Sequence, residues 1–452
     1  MSRVALIGEN SAEYVDKLLD LWNNGDCAVL LDWRIPFQTA VQMMREAGVS
    51  DCFVEKKLLD KSAVDEISDI SFIAYEVADI SPKLLSDEIR KKYRENYSKD
   101  EAVVIYSSGT TGKSKGIILS HFAITTNTDA IIDYMQPNTN DCLYTIRPLS
   151  HSSTLAGELL VALRSGCKYL LAPTIVPPRY IFGNISKFDV TILCLNPTML
   201  SMLTDEYSRG KISVIPLKTM YVSGSVLNDD TYSKAHDTFS GVNIYNVYGL
   251  SEASPRVTAQ RADCCKSNSV GKPIKGVDVV VVDESGNVLS TGNRGIVHVN
   301  TPSRYSGYIC GEEKHRSLYN GWLNTGDVGY FDDNGELHII NRIDDVIIMN
   351  GHKIYPSEVE AQIQKCADID ECVVTSVCFH GEDILCCVYS ASSDIRDDIK
   401  NKLGSVLMKY EIPKVFIRVD AIPKTRTGKV SSQMAKEIVV RELERTRMYE
   451  SR

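Results

Sequence analysis

The 452 residues of this chain exceed what one compact core usually holds, and they suggest two or three domains of roughly 100–200 residues each. A hydrophobic content of 43% and a charged content of 24% are typical of a soluble globular protein, which excludes a mainly disordered chain. The formal charge of −9, without a long run of lysine or arginine, argues against a general nucleic-acid or anionic-membrane binder.

The first part of the chain alternates apolar runs with amphipathic stretches. The segments VALIG, EYVDKLLDLWNN, CAVLLD, FQTAVQMMREAG and CFVE follow one another, which predicts βα units around a mostly parallel sheet. After about Ser269 the pattern changes to short strands with Gly-rich turns, as in VDVVVVDESGNVLSTGNRGIVHV, and this predicts an antiparallel β region. From Asp344 onward a strand, a helix, two strands and a helix predict a small α+β domain.

Cysteine usage favours a reduced compartment, and hydropathy gives no sign of a membrane span or a signal peptide. The thirteen cysteines show no C-x-x-C pair, and we expect most of them, such as Cys372, Cys378 and Cys386, to be small buried apolar residues. No stretch reaches the ~18 apolar residues of a spanning helix, and the first residues lack the apolar segment of a signal peptide. We therefore expect a cytoplasmic protein without a membrane span.

The run YSSGTTGKSKG, Tyr106 to Gly116, has the composition of a phosphate-binding loop. It follows the apolar strand AVVIY and precedes a stretch in which Ser120 can cap a helix, so we expect a strand-to-helix loop. Glycines, hydroxyls and the charges of Lys113 and Lys115 suit a phosphate. The Walker A spacing fails because Ser107 stands where that motif needs glycine. Taken alone, the run is equally consistent with a solvated turn.

Three further blocks follow in the order NVYGLSEAS, GWLNTGDVGYFDDNGELHIINRIDDVIIMNGHKIYPSEVE and PKTRTGKV. Together with the loop they resemble the motifs of the acyl-adenylate-forming (ANL) superfamily of AMP-binding enzymes. This superfamily includes the acyl-CoA and aryl-CoA synthetases, nonribosomal adenylation domains and luciferases. The chain departs from the motifs at Ser114, where proline is preferred, and at Asn341, where glycine is usual.

The resemblance implies a fold in two parts. We expect an α/β protein whose large N-terminal domain, residues 1–343, has mostly parallel sheets plus a β-barrel-like subdomain. A small mobile α+β domain, residues 344–452, would follow a hinge at Asp344. Only 105 residues precede Tyr106, fewer than is usual in the family, so we expect the N-terminal domain to be shortened.

The resemblance also implies a site for ATP and Mg²⁺. Glu252 corresponds to the metal ligand, and a hard cation does need a carboxylate. Asp327 corresponds to the ribose-binding aspartate and Arg342 to an arginine that holds the nucleotide. Thr110, Ser251 and Glu252 are counted among the catalytic residues. The phosphate-loop and adenine-side positions implied in addition are Ser107, Ser108, Gly109, Thr111, Gly112, Lys115, Ser223, Gly224, Asn246, Tyr248 and Gly249.

Three positions within the last two blocks are implied to act in turn. Lys429 corresponds to the C-terminal catalytic lysine, whose compact charge suits the negative charge that develops during adenylation. Gly351 and Lys353 fall on the loop that lines the entry of the thiol in thioester-forming members. A surface turn is the alternative for Lys429, because TGK is common in turns.

The stretch PLSHSSTLAGELLVALRSG, Pro148 to Gly166, falls where the family places its acid-side motif. His151 is implied at the gate of the acid pocket, and a structural histidine is the alternative. Amino-acid-activating members carry an aspartate that pairs the substrate ammonium, but Ser152 and Ser153 stand at the corresponding positions. The sequence therefore favours a carboxylic acid without an α-amino group.

These implications together predict an acid–thiol ligase that forms an acyl-AMP and then a thioester with coenzyme A. Two alternatives remain open at the level of the sequence. One is a stand-alone ligase that loads the phosphopantetheine of an acyl or peptidyl carrier protein. The other is a regulatory nucleotide-binding protein without activity, which the presence of Glu252, Asp327, Arg342 and Lys429 disfavours.

Overall fold

The computed structural model describes most of the chain. It covers residues 2–59, 64, 67–79, 81–107, 114–174, 176–210, 215–264, 269–309, 318–319, 321–349, 352–367, 369–379, 382–393, 402–424 and 430–450. The chain divides into two compact units, which are described separately: residues 1–325 with 330–338, and residues 326–329 with 339–452.

The strands of the described residues carry one numbering along the chain. They are β1 (Arg3–Ile7), β2 (Cys27–Leu31), β3 (Asp51–Glu55), β4 (Ser71–Tyr75), β5 (Lys83–Leu84), β6 (Glu101–Ser107), β7 (Lys115–Ser120), β8 (Cys142–Thr145), β9 (Lys168–Leu171), β10 (Ile192–Leu195), β11 (Thr219–Val222), β12 (Asn243–Gly249), β13 (Arg256–Ala259), β14 (Lys272–Pro273), β15 (Asp278–Val282), β16 (Gly295–Asn300), β17 (Gly307–Tyr308), β18 (Leu318–Tyr319), β19 (Trp322–Phe331), β20 (Leu337–Arg342), β21 (Ile347–Met349), β22 (His352–Ile354), β23 (Glu371–Phe379), β24 (Glu382–Ser390) and β25 (Val415–Val419).

The helices are numbered in the same way. They are α1 (Ala12–Asn23), α2 (Phe37–Glu46), α3 (Asp87–Arg90), α4 (His121–Met135), α5 (Ser152–Thr154), α6 (Leu160–Ser165), α7 (Pro178–Lys187), α8 (Pro197–Ser208), α9 (Asp229–Thr238), α10 (Pro356–Cys366) and α11 (Ser432–Glu450). A π-helical turn, Leu155–Leu159, joins α5 to α6, and 3₁₀ turns occupy Lys56–Leu58, Ser251–Ala253 and Ile343–Asp345.

The first sheet has seven strands in the order β17-β7-β6-β2-β1-β3-β4. Its strands β6, β2, β1, β3 and β4 run parallel, as the alternation of apolar and amphipathic segments predicts. Every residue of β2 is buried, which is usual for a central parallel strand covered on both faces. Helix α1 begins after Ser11, whose Oγ accepts a hydrogen bond from the backbone N–H of Tyr14 at 3.0 Å.

The connection after β6 differs from the prediction. The predicted strand-to-helix loop is wrong, because β7 pairs antiparallel with β6 from Ser120 at one end to Lys115 at the other. Helix α4 begins only after β7, and Ser120 caps it as predicted by accepting from the N–H of Ala123 at 3.1 Å. The apolar run GIILS is long enough to form a strand, and strand pairing satisfies its backbone groups.

The second sheet has eight strands in the order β14-β13-β12-β11-β10-β8-β9-β5. Its five central strands run parallel, while β13, β14 and β5 are antiparallel to their neighbours. The segments that follow β8, β10, β11 and β12 leave from the carboxyl ends of parallel strands and therefore start at the same edge of the sheet. They include the start of the acid-side stretch after β8, the adenine-side residues Ser223 and Gly224 after β11, and Glu252, assigned to the metal, after β12.

An antiparallel sheet lies where the β-barrel-like subdomain was predicted. Strands β15 and β16 pair antiparallel from Asp278 opposite Asn300 to Val282 opposite Ile296. The sheet continues in the order β15-β16-β19-β18, and β20 also pairs with β19. The Gly-rich turns that the sequence shows in this region therefore do separate antiparallel strands.

The second unit contains the small α+β arrangement predicted for the end of the chain. Strands β21 and β22 form a hairpin, and β23-β24-β25 form a sheet in which β23 is antiparallel and β25 parallel to β24. The apolar side chains of Val359 and Ile363, on α10, pack with buried residues of this sheet such as Leu385, on β24. Helix α11 packs on other buried residues of β23 and β24 through Ala435 and Val439.

The cysteine prediction is confirmed for most positions. Cys372 and Cys386 are buried, and no cysteine among the described residues forms a disulfide, whereas Cys378 is exposed and the prediction is wrong there. Cys378 lies near the end of β23, where alternate side chains point away from the core. Within the described part of the chain, no helix is both long and apolar enough to cross a membrane.

One partly buried carboxyl group is expected to make the stability of the second unit depend on pH. Burial raises the pKa of Glu360, on α10, to about 7, although its Oε1 accepts a 2.7 Å hydrogen bond from the backbone N–H of Val374. The folded state therefore binds a proton that the unfolded state releases above its ordinary pKa of 4.5. The free energy of unfolding should fall as the pH rises from about 4.5 to about 7.

We expect Glu360→Gln to stabilise the second unit by about 1 to 2 kcal/mol near pH 8 and by much less near pH 5, since the amide still accepts from Val374 without carrying a charge. Urea-dependent pulse proteolysis, with surviving fragments identified by mass, would measure this. Glu382→Gln, at an exposed position on β24, is the matched control and should leave the pH dependence unchanged. Identical pH dependence in Glu360→Gln and the parent would contradict the prediction.

Candidate active site

The two ends of the predicted phosphate loop are the described parts of that loop. Ser107 ends β6 and pairs with Lys115, the first residue of β7. The Nζ of Lys115 lies 5.7 Å from the centre of the Tyr308 ring, within the range of a cation–π contact. The predicted loop residues that lie outside the described part are Ser108, Gly109, Thr110, Thr111, Gly112 and Lys113.

Glu252, the predicted metal ligand, is a buried carboxylate with a fixed position. It lies in the 3₁₀ turn Ser251–Ala253, directly after the carboxyl end of β12, and is 4% exposed. The hydroxyl of Tyr308 donates a 2.9 Å hydrogen bond to its Oε1, and the backbone N–H of Tyr305 donates to its carbonyl at 2.8 Å. Lys115 and Glu252 are therefore both in contact with the same tyrosine.

Asn127, on α4, holds the segment after Glu252 from the other side. It is fully buried, and its Nδ2 donates to the carbonyl oxygens of Ala253 at 3.1 Å and Arg256 at 2.9 Å. Its Oδ1 accepts from the backbone N–H of Arg256 at 2.9 Å. One amide side chain thus satisfies three backbone groups of residues 253–256, which would otherwise be buried without partners.

The predicted adenine-side residues lie at the ends of neighbouring strands. Asn246 is buried on β12, and its backbone N–H donates to the side chain of Gln260 at 2.8 Å. Tyr248 is half-buried and pairs with Thr258 in β13. At Gly249 an added β-carbon would lie 1.9 Å from the carbonyl oxygen of Pro255, so the chain can turn there only with glycine.

Ser223 and Gly224 follow the carboxyl end of β11. Gly224 has a φ of +105°, a conformation that favours glycine. The Oγ of Ser223, which is buried, accepts a 3.1 Å hydrogen bond from Nη1 of Arg147. The Nη2 of Arg147 donates at 2.6 Å to Glu158, whose side chain is completely buried. A charged pair therefore lies directly behind a predicted adenine-side residue.

The predicted acid-side segment contacts the metal-side turn. Ser152 and Ser251 are joined through their hydroxyl oxygens at 3.0 Å, which links Pro148–Gly166 to the turn that carries Glu252. His151 is partly exposed, and its Nε2 lies 3.9 Å from Oδ2 of Asp32. Ser153, next to them, is half-buried.

Site residues predicted after residue 325 belong to the second unit. Asp327 is buried, and Nη1 of Arg342 lies 3.1 Å from its Oδ1. Gly326, with a φ of +70°, leaves room for that guanidinium, since an added β-carbon would approach Nη2 to 3.0 Å. The sequence suggested separate nucleotide contacts for Asp327 and Arg342, and the structure shows that the two side chains form an ion pair.

Two of the other second-unit positions lie in the described part of the chain. Asp344 is exposed in the 3₁₀ turn Ile343–Asp345 that follows β20, and Lys353 is exposed on β22. Gly351 and Lys429 lie outside the described residues. The roles predicted for these four residues therefore stay predictions.

Sequence reasoning missed four residues of the first unit that the structure brings to this region, namely Arg147, Glu158, Arg256 and Tyr308. Three of them are charged residues next to or inside apolar runs, as in CLYTIRPL, AGELLVAL and SPRVTA, and that contrast was a usable signal. Tyr308 gives no such signal, because tyrosine is common on strands.

The residues present fit a magnesium ion bound together with phosphate oxygens. Mg²⁺ is usually held by one or two carboxylates plus substrate phosphates rather than by a cage of protein ligands. Glu252 supplies one such carboxylate, buried and held by Tyr308. Within the described residues no group of three or more histidine, cysteine or carboxylate side chains could hold a metal alone, which agrees with a site completed by substrate.

Comparison with known proteins identifies the family. Residues 1–309 match the family described as AMP-binding enzyme, and residues 358–429 match the family described as AMP-binding enzyme C-terminal domain. The first match alone spans more than half of the chain. The chain therefore belongs to the AMP-binding enzymes, and the resemblance predicted from the four sequence blocks is confirmed.

Individual relatives are distant but extend over nearly the whole chain. An indoleacetate–CoA ligase of Aromatoleum aromaticum is 25% identical, over 97% of this chain and 89% of its own length. A 2-succinylbenzoate–CoA ligase of Bacillus cereus is 26% identical, over 97% of this chain and 88% of its own length. The crystal structure of ATP-bound MatB from Rhodopseudomonas palustris is 23% identical with a TM-score of 0.85, covering 97% of this chain and 88% of that one. The last similarity confirms the predicted fold class, a large α/β domain followed by a smaller one.

The contact between Tyr308 and Glu252 can be tested through nucleotide binding. We expect Tyr308→Phe to weaken MgATP binding by about tenfold, since a hydrogen bond to a charged group contributes about 1.5 kcal/mol or more. The loss should disappear when calorimetric titrations are repeated with excess EDTA, because Tyr308 acts through the metal ligand.

Tyr245→Phe is the control, since it removes the hydroxyl of another half-buried tyrosine, on β12, that does not bond to Glu252. If Tyr308→Phe binds MgATP as tightly as the parent while Glu252→Gln binds it much more weakly, the hydrogen bond does not position the carboxylate.

Proposed function

We propose that this chain is an ATP-dependent acid–thiol ligase that converts a carboxylic acid to an acyl-AMP and then to its coenzyme A thioester. Support comes from membership of the AMP-binding enzymes and from relatives across nearly the full length that are named CoA ligases. The acids in those names differ in size and in the number of carboxylates, so the names do not identify the acid used here.

The observation that carries the proposal is the hydrogen bond between Ser152 and Ser251. It joins the segment assigned to the acid to the turn that carries Glu252, assigned to the metal and the phosphates. Adenylation needs this proximity, because the acid carboxylate must reach the α-phosphorus of ATP. Two segments remote in sequence are thus held together in the way that the reaction requires.

In the first half-reaction a carboxylate oxygen attacks the α-phosphorus of ATP. An oxygen–phosphorus bond forms, the bond to the β-phosphate oxygen breaks, and pyrophosphate leaves with the electron pair. We assign the β- and γ-phosphates to the loop from Ser107 to Lys115, the adenine side to Ser223, Gly224, Asn246, Tyr248 and Gly249, and the ribose to Asp327. Lys429 orients the carboxylate and stabilises the developing negative charge.

A magnesium ion bound at Glu252 would neutralise charge on the phosphate oxygens. Tyr308 keeps the carboxylate of Glu252 in place for this purpose. Arg342 acts on Asp327 and holds its oxygens in one orientation for the ribose hydroxyls.

In the second half-reaction a thiol loses its proton to solvent and attacks the carbonyl carbon of the acyl-AMP. A carbon–sulfur bond forms, the bond from that carbon to the phosphate oxygen breaks, and AMP leaves with the electron pair. Activation is necessary because a free carboxylate is a poor electrophile without a good leaving group. We propose that torsional change near Asp344 replaces Lys429 by the loop of Gly351 and Lys353 between the two steps. The exposed 3₁₀ turn at Asp344 is consistent with a position that can change its torsions.

The thiol and the cellular location are the finer parts of the proposal. Coenzyme A is preferred because the relatives are CoA ligases, while a carrier protein's phosphopantetheine presents the same thiol. A cytoplasmic location agrees with the free cysteines of the described residues.

The proposal is tested by incubating the purified protein with ATP, Mg²⁺ and a panel of acids, first with coenzyme A and then with a holo carrier protein. We expect acid-dependent release of pyrophosphate and accumulation of the coenzyme A thioester. A thioester formed only on the carrier would contradict the assignment of coenzyme A. Absence of acid-dependent pyrophosphate exchange across the panel would favour the inactive regulatory protein.

The two half-reactions should separate genetically. We expect Lys429→Ala to lower adenylation at least about 100-fold, by removing a charge from the transition state, while a supplied acyl-AMP is still converted to thioester. We expect Asp344→Pro to show the reverse, because a fixed φ restricts the hinge. Stopped assays of pyrophosphate release and of thioester formation from synthetic acyl-AMP would measure both.

Lys424→Ala is a control for Lys429→Ala, since Lys424 forms a 2.9 Å ion pair with Glu371 and belongs to the same segment. Equal losses of both steps in Lys429→Ala would contradict its role, and normal overall turnover in Asp344→Pro would contradict the hinge.

A further inference from the structure

Arg256, the first residue of β13, is a buried guanidinium without an ionic partner. The residue is 3% exposed, and its Nε has no hydrogen-bond partner. No carboxylate among the described residues lies within ion-pair distance of it, and its hydrogen bonds to Asn127 use only backbone atoms. A buried charge in this state is costly, and proteins normally pair it or place it where a ligand supplies the opposite charge.

Arg147, the other buried arginine of this region, differs from Arg256 in having an ionic partner, although its Nε likewise lacks a hydrogen-bond partner among the described residues. Arg147 donates to Oε1 of Glu158 at 2.6 Å and to Ser223 at 3.1 Å, so the Glu158 carboxylate is already paired with one arginine, although its Oε2 has no hydrogen-bond partner among the described residues. Two arginines and one glutamate leave the cluster with one excess positive charge. The hydroxyl of Tyr134 lies close enough to the Arg256 side chain for the two to interact, and it has no other hydrogen-bond partner among the described residues. The Tyr134 hydroxyl and the Arg256 guanidinium therefore offer a ligand a hydrogen-bond donor and a positive charge at one place.

The position of the guanidinium is on the acid side of the site. An added β-carbon at Gly157 would lie 3.6 Å from Nη2 of Arg256, so the guanidinium lies against the π-helical turn of the acid-side segment. Through its backbone, Arg256 belongs to the segment that Asn127 fixes after Glu252. Arg256 thus lies between the segment assigned to the acid and the turn assigned to the metal, and π-helical turns are frequent at functional sites.

We propose that Arg256 binds a second carboxylate of the acid substrate, so that this enzyme activates a dicarboxylic acid at one end and holds the other end by charge. The inference rests on the proposed ligase function and names its substrate class. A planar guanidinium matches a carboxylate with two parallel hydrogen bonds, and the Tyr134 hydroxyl can donate a third. A monocarboxylic acid would leave the buried charge unmatched, which provides the discrimination.

The test compares dicarboxylic acids with monocarboxylic acids of equal length: succinate with butyrate, glutarate with valerate, adipate with hexanoate. Pyrophosphate release is measured with ATP, Mg²⁺ and coenzyme A. We expect one diacid to exceed its matched monoacid at least about 100-fold in kcat/KM. Arg256→Met should remove this advantage, mainly by raising the KM of the diacid, while the monoacid changes little. Arg256→Lys should restore part of it.

A second pair of variants tests the charge without removing the arginine. Gly157→Asp places a carboxylate next to Nη2 of Arg256, whereas Gly157→Asn has nearly the same size and no charge. We expect Gly157→Asp to raise the KM of the diacid at least about tenfold more than Gly157→Asn does, because the new side chain occupies the guanidinium. If Arg256→Met fails to fold, this pair still tests whether the guanidinium of Arg256 binds the second carboxylate.

Thermal denaturation without ATP separates this inference from the ligase proposal. We expect the diacid to raise the Tm of the parent protein, and we expect no such rise with the monoacid or in Arg256→Met. Such a shift without any acid-dependent turnover would overturn the ligase proposal and support the binding role. Equal turnover of diacids and monoacids, or an unchanged diacid KM in Arg256→Met and Gly157→Asp, would overturn the inference alone. Absence of both turnover and stabilisation would overturn both.

Discussion

The candidate site depends on one buried amide. Asn127 bonds to three backbone groups of residues 253–256 and has no exposure to solvent. The segment it holds carries Glu252 on one side and Arg256 on the other, so one side chain fixes the positions of a carboxylate and a cation. Asn127 lies on α4, which follows β7 directly in the chain. Strand β7 begins at the end of the phosphate loop, so this helix is also connected to that loop. Geometry at the phosphate loop and at the acid side is therefore tied to one helix.

Burial gives this region its electrostatic character. Glu252, Glu158 and Arg256 are all nearly inaccessible, and charges in such surroundings interact more strongly than at the surface. Their partners differ. The neutral hydroxyl of Tyr308 donates to Glu252, Arg147 forms an ion pair with Glu158, and no carboxylate of the described residues pairs with Arg256.

Much of the fold was predictable because its signals are local. The strands VALI, CAVLL and DCFVE and the helices between them follow directly from hydrophobic periodicity. The pairing of β7 with β6 was not predictable from the run GIILS, because a short apolar run is compatible with a strand or a helix and only its neighbours decide. The motif residues were found because four blocks of the sequence resemble the motifs of a known family. The ion pair of Asp327 with Arg342 and the support of Glu252 by Tyr308 were missed, because both join residues through folding rather than through sequence.

The unmatched charge of Arg256 also has a consequence for how much enzyme a cell would hold. On the proposed role, the substrate is the counter-ion that the described residues do not supply to Arg256, so the empty protein is the less stable one. A ligand present at about 100 times its Kd adds about 2.7 kcal/mol to the stability of the folded state. Proteases act on the unfolded fraction, and that fraction falls as the acid accumulates. The abundance of the enzyme would then follow the supply of its own substrate without any dedicated regulator.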